Sequence, residues 1–111
     1  MQYVVIGLDG TDDEASSRRA AARPAHLVLG DELLKSGNLW FAAALLDNDG
    51  VMNGSVYHLN FESYSKFQSW YETEPYIVGD VWRTVNIHNA NTRDPWQFSH
   101  DKEWFEKYSV E

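Results

Sequence analysis

The opening residues 2–8, Gln-Tyr-Val-Val-Ile-Gly-Leu, form a β-branched and aromatic run too short for a helix, and they predict a strand. Asp9-Gly10 breaks it. Thr11 or Asp12 is placed to cap a helix whose first turn carries Asp13 and Glu14, where acidic side chains suit the positive end of the helix dipole. Residues 16–22 continue as helix formers. Pro24 lacks an amide proton, so it either kinks this helix or opens a new one. Leu27, Leu33 and Leu34 extend an apolar stripe to Lys35, and Gly37 stands where a left-handed cap belongs.

Residues 39–46, Leu-Trp-Phe-Ala-Ala-Ala-Leu-Leu, read as a largely buried strand, followed by the turn chemistry of Asp47-Asn48-Asp49-Gly50. Residues 54–61 alternate, with Ser55, Tyr57, Leu59 and Phe61 on one side and Val56, His58 and Asn60 on the other. The two runs predict a hairpin. Ser63 is placed to cap a second helix carrying Tyr64, Phe67, Trp70 and Tyr71 on one stripe, and that helix must end before Pro75. Residues 81–88 close as a fourth strand. The order βαββαβ defines an α+β, ferredoxin-like unit with a four-stranded antiparallel sheet over residues 1–90. Beyond it, Asp94-Pro95 marks a turn, and Ser99 is placed to cap a final helix with Trp104, Phe105 and Tyr108 on one side. Residues 91–111 are thus expected as a C-terminal extension packing on the domain or on a partner subunit.

Composition narrows the classes. The 111 residues make one domain, small enough to gain from oligomerising. Aromatic residues are 14% of the chain, more than a small core can hold, so some rings are expected at an interface. A sheet with helices on one face leaves the other uncovered, and pairing two sheets buries both, so a homodimer is expected. The 17 acidic against 9 basic residues, a formal charge of −8, argue against nucleic acid and anionic membranes as partners. Without Cys there is no disulfide framework, thiol nucleophile or Cys-based zinc site. No basic n-region and apolar h-region open the chain, and no apolar run approaches the roughly 20 residues of a membrane span, so a cytoplasmic protein is expected.

Candidate chemistry centres on histidine, which exchanges a proton near neutral pH because its ordinary pKa is about 6.5. A carboxylate bonded to one ring nitrogen fixes the tautomer and leaves the other nitrogen as general base. His26 lies in the first helix, with Arg23 three positions before it and so on the same face of an unbroken helix. Arg23 can hold a substrate carboxylate or phenolate, or simply pair with one of the many acids. Ser55 can donate to a substrate oxygen or serve the strand edge, and Tyr76 can line a pocket or pack. His58 and His88 fall on separate strands and His100 in the tail. With no HxH or HExxH spacing, no GxGxxG and no P-loop, neither a metal nor a cofactor is expected.

The segment Arg23-Pro24-Ala25-His26-Leu27 resembles the central motif of the YciI-like (YCII-related) family. The short first strand ending near Asp9, the Gly37 stop, Gly54-Ser55 in the hairpin, Phe61-Glu62-Ser63 and Glu74-Pro75-Tyr76 agree in order. The resemblance spans roughly residues 1–88. It implies a dimeric α/β barrel in which two sheets pack face to face, and a His–Asp catalytic pair falling on His26 and Glu74. Glu74 is one methylene longer than the family aspartate, and Ala42-Ala43-Ala44-Leu45 replaces the usual Gly-Pro turn. A few family members and fold relatives act on chlorinated hydroquinones or on lactones such as muconolactone, and the resemblance implies chemistry of that kind. Three readings follow: a proton-transfer enzyme (isomerase, lyase or lactone chemistry) acting on a small cyclic or phenolic molecule, a non-catalytic small-ligand-binding or accessory homodimer, and an assembly module.

Overall fold

The structure, a computed structural model, describes residues 1–98 and 102–109; the expected Ser99 cap and His100 fall outside these, as do the side chains of Trp104 and Tyr108. The elements are β1 (Gln2–Asp9), α1 (Ala15–Ser36), β2 (Leu39–Leu46), β3 (Met52–Asn60), α2 (Tyr64–Thr73), α3 (Pro75–Val78), β4 (Trp82–Ala90) and α4 (Lys102–Tyr108). The strands pair antiparallel in the order β2-β3-β1-β4, the ferredoxin-like arrangement that the alternation predicts.

Register decides which side chains meet. Tyr3, Val5 and Gly7 of β1 stand opposite Leu59, Tyr57 and Ser55 of β3, and all six share the face covered by the helices. Tyr3 stacks on Phe67 of α2 with ring centroids 4.1 Å apart. Leu59, Trp70, Tyr76, Val81 and Trp82 complete a core rich in rings. Gly7 is small for a reason: a β-carbon there would lie 2.2 Å from Trp82 Cδ2, so the indole crosses β1 only over a glycine.

Helix α1 starts later than expected, at Ala15. Asp12 caps no helix turn; it builds the preceding one, its carbonyl accepting from the Ala15 amide and its carboxylate from Glu14 N and both Arg18 amino groups. Pro24 lies inside one continuous helix, on an exposed face where the carbonyl of exposed Ala20 can turn to water. The core-facing stripe is also different. Ala22, His26, Leu29, Gly30 and Leu33 point inward, whereas Leu27 and Leu34 are exposed. Gly37 closes the helix in the left-handed conformation, φ 86°, as expected. Ser63 caps α2 by accepting from the Lys66 amide, also as expected.

Strand β2 is far less buried than its composition suggests: of its eight residues only Leu39 is buried. It is an edge strand, its alanines border a cavity instead of lying under a helix, and its other side belongs to the uncovered sheet face. That face presents Val4, Ile6 and Leu8 beside Val56, His58, Phe41, Ala43 and Leu45. Residues beyond β4 return to it: Thr92 bonds His58, its amide donates to Gln2 (2.7 Å), and Trp96 stacks on Phe41 at 5.9 Å. No described helix is long and apolar enough to cross a membrane.

Candidate active site

Glu74 sits at a corner of the chain. Its amide donates to Trp70 O and ends α2, because Pro75 forces residue 74 out of helical geometry (ψ 119°). Its carboxylate then caps α3 by accepting from Tyr76 N at 3.1 Å. The same oxygen, Oε1, bonds His26 Nδ1, so the corner that joins two helices also reaches α1. Glu74 is fully buried, and its second oxygen has no hydrogen-bond partner among the described residues.

A Glu74 carboxylate can only accept, so in the neutral imidazole Nδ1 carries the proton and Nε2 is an acceptor. Tyr57 Oη donates to it at 3.1 Å. Tyr76 lies flat on the imidazole, 3.6 Å between centroids and 4° between planes, and Trp82 meets it edge-on at 5.8 Å. Tyr57 also stacks at 5.7 Å, so the ring is fixed by two hydrogen bonds and three aromatic contacts.

His26 borders an open cavity of about 170 Å³ between α1 and the β2–β3 hairpin. Arg19, Arg23, Ser55, Tyr57 and Tyr76 line it, and Ala42 and Ala44, small side chains on the helix side of β2, leave its space. Arg19 Nη1 donates to Tyr76 Oη at 3.0 Å, its guanidinium carbon lies 4.9 Å from the centre of that ring, and Nε pairs with Asp9 Oδ2 at 3.1 Å. Burial pushes the Asp9 carboxyl up from its ordinary value, against the pull of Arg19 and His26. Burial likewise raises the Tyr76 phenol, with Arg19 and Arg23 opposing, and raises Tyr57 much further, aided by Glu74 and Tyr76.

Of the residues singled out from the sequence, His26 and Glu74 meet, and Arg23, Ser55 and Tyr76 share the cavity with His26. Arg19 and Tyr57 were not anticipated. Arg19, Arg23 and His26 fall at i, i+4 and i+7, so helical spacing could have found the first. Tyr57 stands two residues after Ser55 on the same strand face, the signal for the second. Among the described residues no cluster of three or more His, Asp or Glu could hold a metal ion.

A split-βαβ chain with a helix-borne histidine seated on a buried carboxylate defines a ferredoxin-like α+β protein with a cavity at the sheet edge. The chain belongs to the YCII-related domain family, whose model matches residues 1–91. Protein YciI of Escherichia coli O6:H1 is 31% identical over 93 residues, covering 78% of this chain and 93% of that protein, and Protein YciI of Shigella flexneri matches equally. Among solved structures, the 5-chloro-2-hydroxyhydroquinone dehydrochlorinase TftG of Burkholderia phenoliruptrix AC1100, in complex with 2,5-dihydroxybenzoquinone, superposes with a TM-score of 0.68. It is 18% identical, covers 82% of this chain and 94% of that one, and shares the fold.

Proposed function

We propose that this chain is a homodimeric, cofactor-independent enzyme of the proton-transfer type, acting on a small cyclic phenolic or enolic substrate by elimination, isomerisation or lactone rearrangement. The observation that carries the reading is the buried bond from His26 Nδ1 to Glu74 at the wall of a cavity flanked by Arg19 and Arg23. Glu74 fixes the tautomer and stabilises the imidazolium; the two guanidinium groups favour an anionic oxygen. A cavity of about 170 Å³ suits one six-membered ring, since an apolar cavity of about 150 Å³ takes up benzene. The relative TftG is a dehydrochlorinase of such a ring, which makes chlorinated hydroxyhydroquinones the first substrates to offer. The exposed Leu8 and Phe41 on the uncovered sheet face support the dimer.

Chloride release from 5-chloro-2-hydroxyhydroquinone tests this, with His26→Gln expected to lower kcat/KM by about 10²–10⁴ and Glu74→Gln by a smaller factor. Equal turnover by His26→Gln and the wild type would sink the catalytic role. The second reading, a ligand-binding homodimer, is favoured by one observation: both His26 nitrogens are already hydrogen-bonded. Tight binding of 2,5-dihydroxybenzoquinone that survives His26→Ala, without turnover of any ring substrate, would establish it instead.

A further inference from the structure

Glu74 takes one nitrogen of His26 and the Tyr57 hydroxyl takes the other. Tyr76 covers a face of the ring, and His26 and Tyr57 are both buried, 6% and 4% exposed. Both side chains line the cavity, and with Nδ1 on Glu74 and Nε2 on the Tyr57 hydroxyl, that hydroxyl is the group of the pair with a lone pair left to take a proton from a molecule there. Helix α1 also flanks that hydroxyl one turn beyond His26: a β-carbon at Gly30 would lie 3.5 Å from Tyr57 Oη, in ordinary contact.

We propose that Tyr57 is the catalytic residue that exchanges the proton with substrate, with His26 and Glu74 as the relay behind it. The proposal rests on the proton-transfer reading of the same cavity. In the forward step a bound phenolic O–H gives its proton to Tyr57 Oη as the Tyr57 proton passes to His26 Nε2. One O–H bond of the substrate and one of Tyr57 break; a new O–H on Tyr57 and an N–H on His26 form. The substrate is left as phenolate, the imidazolium rests against the Glu74 carboxylate, and no electron changes hands. Tyr57 ends neutral and donates a hydrogen bond to the phenolate oxygen. Burial suits the part, because it holds the Tyr57 phenol in its protonated form before and after transfer. Arg19 and Arg23, on the same cavity wall, favour the resulting anion.

The test uses 4-nitrophenol, whose anion is coloured, titrated into the wild type, Tyr57→Phe and His26→Gln. Binding is followed by NMR and ionisation of the bound phenol by visible absorbance. The wild type is expected to convert the bound phenol to phenolate. Tyr57→Phe should bind within about threefold of the wild type, yet its bound-state ionisation constant should fall roughly tenfold, the worth of one hydrogen bond to a charged oxygen. His26→Gln should lose the conversion. If Tyr57→Phe ionises the phenol as the wild type does while His26→Gln does not, His26 acts directly and the role of Tyr57 is overturned alone. If the wild type itself leaves the bound phenol neutral, the proton-transfer reading falls and Tyr57 with it. Should Tyr57→Phe not fold, a long-range ¹H–¹⁵N spectrum of the wild type decides. A proton on Nδ1 with Nε2 accepting agrees with the relay, and a proton on Nε2 overturns it.

Discussion

The two faces of the sheet are built from similar side chains and reach opposite ends. On the helix face, Tyr3, Val5, Tyr57 and Leu59 are buried, and even the polar groups His26, Ser55 and Glu74 are taken in. On the other face Leu8 and Phe41 remain exposed, and Trp96 is 61% exposed although it stacks on Phe41 and meets Trp40 edge-on. Burial on the first face is completed within the single chain, by ring-against-ring packing that also immobilises the imidazole. The second face is apolar along β2, β3 and β1 and turns polar at β4, where Thr84, Asn86 and His88 take the same side. The difference separates the two faces: one takes its apolar and polar groups, the His26–Glu74 pair included, under the helices, and the other keeps apolar side chains in the open, where the proposed dimer would bury them.

Substitutions on each face can break that contrast. The largest expected effect is Phe67→Ala, which empties a site 2% exposed between Tyr3, Phe61 and Trp70. It should cost about 3–5 kcal/mol, read as a denaturant midpoint shift. Gly7→Ala comes next. Its methyl can enter only by displacing Trp82, which packs on His26, so about 1–3 kcal/mol of stability should go, and activity with it. On the opposite face Phe41→Lys should leave protomer stability within about 1 kcal/mol while converting a dimer to a monomer by light scattering. Dimers persisting in Phe41→Lys, or a large loss of protomer stability, would erase the division between faces.

The smallest effect is a pH dependence at the edge of the helix face. Burial holds the folded-state Asp9 carboxyl above its ordinary 3.8, so the folded protein keeps this proton longer than the unfolded chain does. Stability from Asp9 is therefore fully present below 3.8 and is lost as pH rises through the raised folded value. Exposed Asp12, held low by Arg18, runs the other way and loses its contribution as pH falls below 3.8. In the difference between wild type and Asp9→Asn across this range, only the Asp9 slope should remain. A flat difference would mean that the Arg19 pair fully offsets burial.

Most of the architecture was legible because period-2 alternation and turn residues are local. Ser63, Pro75 and Gly37 fixed three element ends through hydrogen-bonding and φ preferences that need no tertiary context. The face of α1 was misread. Leu27, Leu33 and Leu34 looked like its core stripe, yet only Leu33 turns inward, and a histidine and a glycine take the central places there, compensated by Glu74 and by the close approach of Tyr57. Burial of β2 was overestimated, since composition does not say that a strand is at an edge or that a cavity flanks it. For the site, the family motif pointed to His26 and Glu74, 48 residues apart, a pairing that no local pattern can supply. Arg19 and Tyr57 were within reach of spacing rules but carry no motif of their own.

The corner at Glu74 carries one more implication. Its Oε1 accepts from the Tyr76 amide as well as from the imidazole, so a main-chain N–H shares its acceptor with the dyad. Any change in how tightly that oxygen is held by His26 must redistribute charge along the second bond. The Tyr76 amide is thus a built-in antenna: its chemical shift and its exchange with solvent deuterium should register any ligand that alters the His26–Glu74 bond, without a label placed in the cavity itself.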